Sequence, residues 1–222
     1  IMIEGLFDIH CHVIPGVDDG SKNIEMSQQM LDAAYAQGVR NMITTPHFYP
    51  GHRNASPEHV QKAFQEIVDY TKEKYPDFKL YRGNEIYYRD SVAESIEKDE
   101  IKTLAGSRYV LLEFAYTVPY KEIKAAVYRM SSCGYYPILA HIERYHCLHN
   151  EENLVEELIG EGAYIQLNGE NFHNGLLVTN RSYCVKLIRD GLVHFLVTIW
   201  INVCRILELQ FPIWRKRLAE RN

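Results

Sequence analysis

LFDIHCHVIPGVDDGSKNIEMSQQMLDAAYAQGVRNMITTPH, residues 6–47, holds the pattern that decides the fold. It opens on a short strand-like run at 6–10 and reaches a second at 40–44. Between them Met26, Met30, Ala33, Ala34 and Gln37 recur at helical spacing over 23–37,. Gly38 then stops the helix, since glycine tolerates the left-handed backbone of a helix end. Strand, helix and second strand in so short a span make a βα unit with parallel pairing.

The unit repeats along the chain. Strands are expected at 79–83, 109–113, 136–140, 163–167 and 193–197, with helices at 57–75, 90–98, 120–132, 151–159 and 177–189. Ser56-Pro57 reads as an N-cap followed by the first helical residue, and Gly134 and Gly191 follow later helices. Six βα units and a seventh strand predict a barrel-like parallel α/β domain.

Composition narrows the function classes. The 222 residues suit one domain with a sizeable core, and the net charge of −5 gives no basic footprint for nucleic acid,. Residues 205–222 run the other way, with five Lys/Arg against Glu208 and Glu220. Five cysteines at Cys11, Cys133, Cys147, Cys184 and Cys204 are odd in number and lack C-x-x-C spacing. That favours a reducing, cytoplasmic setting over a disulfide framework or a cysteine-bound zinc. No signal peptide is read at the start, and the apolar run 195–201 is far short of the ~20 residues a membrane span needs,.

In βα barrels chemistry sits where strands end and βα loops begin. The polar residues at those points are His10 and His12, His47 after Thr45-Pro46, Glu85 after Gly83-Asn84, Glu113, and His141 followed by Glu143 and Arg144. Residues two apart in an extended segment face the same way, so His10 and His12 can reach one ion while Cys11 points elsewhere. Glu113 ends the apolar run Val110-Leu111-Leu112, where a carboxylate is costly unless paired or bound to metal. Imidazoles and carboxylates together suit manganese, iron or zinc, and calcium poorly. Asp18 and Asp19, in Pro15-Gly16-Val17-Asp18-Asp19-Gly20, read equally as groups orienting a ligand and as turn chemistry. Arg144 is a candidate phosphate clamp, and Tyr116 and Tyr120 are candidates to border the cleft. His52, His59, His146, His149, His173 and His194 have no comparable placement.

Cysteine-based phosphate chemistry is excluded. A Cys-x5-Arg loop would need arginine six residues after a cysteine, and those positions hold Val17, Leu139, Asn153, Asp190 and Gln210. There is no glycine-rich Walker loop either.

The motifs Phe7-Asp8-Ile9-His10-Cys11-His12, Thr44-Thr45-Pro46-His47, Gly83-Asn84-Glu85, Leu112-Glu113-Phe114 and Ala140-His141-Ile142-Glu143-Arg144-Tyr145 come in a telling order. Together with the acidic 15–20 loop, they resemble the polymerase-and-histidinol-phosphatase superfamily. The likeness is to its Gram-positive capsule and exopolysaccharide tyrosine phosphatases. It implies a distorted (β/α)7 barrel, up to three divalent ions with manganese foremost, and phosphotyrosine protein substrates, foremost a bacterial tyrosine kinase. By the same resemblance His10 and His12 hold one ion and Glu85 bridges it to a second. Glu113 and His141 complete the second site, His47 and Glu113 serve a third, and Arg144 and Asp18 are the catalytic candidates.

One departure stands out. After its seventh strand the family places Asp-x-His-Asn, acid and imidazole both being ligands. Here residues 196–202 read Leu-Val-Thr-Ile-Trp-Ile-Asn, with Ile199 and Ile201 at the ligand positions. The expected domain therefore runs over 1–196, with 197–222 an atypical basic tail in which the likeness stops at once, as a shift of reading frame would produce. Two rival readings stay open at this point. One is a small-molecule phosphatase of the histidinol-phosphate type, and the other is an inactive or regulatory remnant.

Overall fold

The computed structural model describes residues 5–169 and 180–197. The elements alternate as β1 (Leu6–Cys11), α1 (Ile24–Ala36), β2 (Val39–Thr44), β3 (His47–Phe48), α2 (Pro57–Lys74), β4 (Lys79–Arg82), β5 (Glu85–Tyr87), α3 (Val92–Glu97), β6 (Tyr109–Glu113), α4 (Tyr120–Ser132), β7 (Tyr136–Leu139), α5 (Glu152–Gly160), β8 (Tyr164–Asn168), α6 (Arg181–Asp190) and β9 (Phe195–Val197). Asn23 caps α1 by accepting from the Met26 amide at 2.9 Å, and Ser56 caps α2 through the His59 amide at 3.2 Å,. Of the helix expected at 177–189, residues 177–179 lie outside the described residues.

All pairings among the described strands are parallel. A small sheet orders β1-β2-β4, and a larger one β3-β5-β6-β7-β8-β9. The expected second and third strands are β2 and β4, and each is followed by a further short strand, β3 and β5, absent from the expected set. Pro46 lacks the N–H a continuous ladder needs. At Gly83 a Cβ would stand 2.9 Å from a Leu104 methyl and 3.0 Å from an Ile43 methyl, so the chain passes close to both side chains there. Backbone bonds still cross the breaks, from Gly83 to Thr44 at 2.9 Å and from Glu85 to Pro46 at 3.1 Å. The short pieces β3 and β5 carry His47 and Glu85 at their first positions, in register with each other.

The result is a curled parallel sheet with helices outside. One apolar layer, with Leu31, Met42 and Ile67, lies under α1 and α2, and a larger one, with Leu112, Val127, Leu139, Ile165 and Leu187, under α4 to α6. An inner cluster gathers Ile43, Leu111, Ile138 and Ala140, with Ile9, Tyr109, Tyr164 and Phe195 packed against it. Alternation along β6 then fixes the chemistry. Leu111 points inward, so Glu113 two residues on does too, above the apolar plug. The same rule on β8 turns Gln166 and Asn168 inward after Tyr164.

Candidate metal centre

The strand ends converge as a ring. Glu85 Oε2 lies 3.1 Å from His10 Nε2, 3.0 Å from His12 Nε2 and 3.2 Å from His47 Nδ1. Its Oε1 lies 2.8 Å from His141 Nε2. Glu113 stands across from it, with oxygens 3.5 Å from His47 Nδ1 and 3.6 Å from His141 Nε2. His10, His12, Glu85 and His141 are all buried.

Three sets of donor atoms close enough to share an ion emerge among the described residues. They are His10, His12 and Glu85; His12, Asp19 and His47; and His47, Glu85 and Glu113. The donor set fits divalent metal. One carboxylate oxygen faces three imidazole nitrogens, more than its two lone pairs can satisfy. Among the described residues the buried atoms His47 Nδ1 and Glu113 Oε2 of this ring find no hydrogen-bond partner. Buried polar atoms seldom go unpaired, and a cation among these nitrogens and oxygens would satisfy them together.

The electrostatics are those of a cage built for charge. Burial drives the Glu85 pKa upward, but His10, His12 and His141 overcome it and hold the carboxyl well below its usual range. Burial lowers His12, yet its bonds to Asp18 and Glu85 raise it to about 10. Burial, reinforced by the nearby Glu85 charge, pushes Glu113 up to about 8. Two carboxylates facing one another without an ion between them cannot both ionise readily.

Asp18 stands behind this ring and does not line the cleft. Its Oδ2 lies 2.8 Å from His12 Nδ1 and accepts from the His47 amide at 3.1 Å, while Oδ1 accepts from the Gly20 amide at 2.9 Å. It is a positioning residue for two histidines. Asp19 takes the exposed place instead, 3.3 Å from His47 Nε2. Gly20 is packed so tightly on His12 that a Cβ would fall 2.3 Å from His12 Cβ and 2.4 Å from its carbonyl oxygen. His141 has φ 37 and ψ 54. Such left-handed backbone at a non-glycine residue costs on the order of 1–3 kcal/mol and persists only where its surroundings enforce it.

The cleft over the ring measures about 280 Å³ and is walled by Tyr49, Tyr116 and Arg144 as well as the ligands. Arg144 follows His141 on a single 3-10 turn, Ile142–Arg144, and its Nη1 donates to Tyr116 Oη at 3.5 Å. Tyr49 packs on His47 and Tyr87, with ring centroids 5.4 Å away in both cases. Tyr120, expected to border the cleft, does not. It opens α4, and its hydroxyl donates a hydrogen bond to Glu157 Oε2 of α5 at 2.7 Å. His194 is a structural residue, its Nδ1 accepting from the Ile165 amide at 3.1 Å. His173, Ile199 and Ile201 lie outside the described residues.

Two contributors are not evident from the sequence. Asp19 reads there, with Asp18, equally as a group orienting a ligand and as turn chemistry, and nothing tells the two apart. Gln166 is fully buried and hydrogen-bonds towards both His10 and His141. Its signal is a polar pair, Gln166 and Asn168, at period two within an apolar strand.

Residues 6–199 match the family described as capsular polysaccharide synthesis, CpsB/CapC. This chain belongs to that family. It is 39% identical over 163 residues to the tyrosine-protein phosphatase CpsB of Streptococcus pneumoniae, covering 73% of this chain and 67% of the relative. It is 28% identical over 199 residues to the tyrosine-protein phosphatase YwqE of Bacillus subtilis, covering 89% and 78%. Among solved structures it resembles one from the crystal structures of YwqE and CpsB, described as metal-dependent tyrosine phosphatases. The TM-score is 0.79 at 26% identity, over 90% of this chain and 81% of that one. An Escherichia coli phosphotriesterase homology protein shares the fold alone, with a TM-score of 0.56 at 11% identity over 98% and 92%.

Proposed function

We propose that this chain is a metal-dependent protein-tyrosine phosphatase of capsule or exopolysaccharide synthesis. It acts in the cytoplasm on a bacterial tyrosine kinase, with manganese as its metal and a distorted (β/α)7 barrel of the polymerase-and-histidinol-phosphatase type as its frame. The observation that carries the reading is the Glu85 carboxylate ringed by His10, His12, His47 and His141, under a cleft that Arg144 overlooks. Kinship with the CpsB and YwqE phosphatases supports it. Among the described residues no helix is long and apolar enough to cross a membrane.

Divalent ions held by His10, His12, His47, Glu85, Glu113 and His141 would supply positive charge for the phosphoryl oxygens and lower the pKa of attacking water. The remaining work falls to the chain. Arg144 presents paired N–H donors to the phosphoryl group, and Tyr116 restrains its guanidinium,. Asp18 and Gln166 keep histidine nitrogens aimed inward. Tyr49, packed on His47 at the cleft wall, offers the substrate ring a neutral aromatic face,. The departing phenolate is a good leaving group, which lessens the call for a dedicated general acid.

The deciding assay compares turnover of a phosphotyrosine peptide with that of histidinol phosphate, each with and without added manganese. Manganese-dependent hydrolysis favouring the peptide is expected. Preference for histidinol phosphate would move the chain to the small-molecule branch, and no turnover of either would leave a non-catalytic family member.

A further inference from the structure

Gln166 lies outside the ring of donor atoms, yet it touches two of their owners. Its Oε1 lies 3.0 Å from the His141 backbone nitrogen and 3.1 Å from His10 Nδ1. A backbone N–H can only donate, so the amide oxygen, and not the amide nitrogen, must face this way. The other end agrees, with Gln166 Nε2 donating to Asn168 Oδ1 at 2.9 Å. An acceptor opposite Nδ1 means that His10 carries a proton there, so that Nε2, 3.1 Å from Glu85 Oε2, is the nitrogen left to face an ion,.

The same oxygen holds the His141 amide where the backbone turns left-handed. It also spans the fold. His10 belongs to the small sheet and Gln166 to the large one, so the bond pins the two sheets together at the cleft. His12 has its own restraint in Asp18. For His10, the restraint from beyond the ring and its own strand is Gln166.

We propose that Gln166 is a positioning residue of the metal centre, setting the tautomer of His10 and the backbone pose of His141 through one oxygen. Its loss disturbs ligands on both sides of Glu85 at once. The inference rests on reading the strand ends as a metal centre, and the experiment separates the two.

Metal-stripped full-length protein is titrated with manganese by calorimetry as the unaltered chain, Gln166→Met and Gln166→Glu. Methionine keeps the length and removes the acceptor, while glutamate keeps the acceptor. Gln166→Met is expected to bind manganese roughly 10–100-fold more weakly, the usual consequence of losing a partner behind a ligand. Gln166→Glu, which keeps the acceptor and adds negative charge behind His10, should bind no more weakly than the unaltered chain. In parallel, long-range proton–nitrogen NMR of the metal-free proteins reads the His10 tautomer, assigned against His10→Gln. A proton on Nδ1 is expected in the unaltered chain and in Gln166→Glu, and its loss, leaving Nε2–H alone, in Gln166→Met. Circular dichroism establishes that each variant folds, and Gln166→Asn, which withdraws the oxygen, replaces the methionine variant if that one does not. An Nε2–H tautomer in the unaltered chain overturns the proposal, as does unweakened binding by a folded acceptor-less variant. Failure of the unaltered chain to bind manganese at all, with its Nδ1–H tautomer intact, would instead overturn the metal reading.

Discussion

Glu85 Oε1 and His141 Nε2 lie 2.8 Å apart, and this contact joins the two sides of the centre. The other Glu85 oxygen serves His10, His12 and His47, so the carboxylate is shared by more than one prospective ion. Glu85→Gln removes the charge that holds them. It should lower bound manganese, measured by plasma emission, together with turnover. Glu113→Gln and His141→Ala should each do the same to a smaller degree. Unchanged metal content in all three would mean that the ligands are assigned wrongly.

Asp18→Ala leaves the Gly20 and His47 amides without their carboxylate acceptor and frees the His12 ring. Unsatisfied buried donors cost about 1–3 kcal/mol, and a lost partner behind a ligand costs roughly 10–100-fold in metal affinity or activity. Chemical denaturation and a manganese titration would register both. Asp18→Asn, which keeps an acceptor, should fall between.

Metal loading should release protons. His12 is raised to about 10 and Glu113 to about 8 in the metal-free protein, so both carry protons at neutral pH. An ion must displace them, so apparent affinity rises as pH climbs from ~6 to ~8. Calorimetry in buffers of different ionisation enthalpy would measure the protons released. A pH-independent affinity would contradict the argument.

Thiol reagents should leave activity intact. Cys11 and Cys184 are buried, Cys133 is exposed, and none of the described cysteines lines the cleft. Complete inactivation by iodoacetamide, prevented by substrate, would be the opposite result.

Ile199→Asp with Ile201→His should raise both metal content and phosphotyrosine turnover. The resemblance puts an acid and an imidazole at those positions, and isoleucine can coordinate nothing. A direct ligand should be worth at least the roughly 10–100-fold of an indirect one. Steady-state rates of single and double variants at saturating manganese, with circular dichroism on each, would test it. Equal rates in the unaltered chain and the double variant would show that positions 199 and 201 are not ligand positions.

Much of the site is legible in the sequence because each donor ends an apolar run. The strand tips announce His10, His12, Glu113 and His141 by chemistry that an interior strand would not otherwise tolerate. The short strands β3 and β5 are harder to read. Proline at 46 and glycine at 83 each look like the end of a strand, whereas the ladder resumes one or two residues later and seats His47 and Glu85. Gln166 escapes because glutamine at a strand's inner face has no charge to flag it, and its partners are 156 and 25 positions away. Asp18 and Asp19 are adjacent and chemically alike, so only three-dimensional placement tells the one behind His12 from the one facing the cleft.

Gly20 has no side chain to offer an ion, and its amide donates to Asp18. Yet any Cβ at that position must displace His12. In genetic terms Gly20→Ala would be a silent-looking null allele, with every ligand codon intact and the phenotype of a lost ligand. A comparison of strains that scored only the histidines and carboxylates would class such a gene as functional.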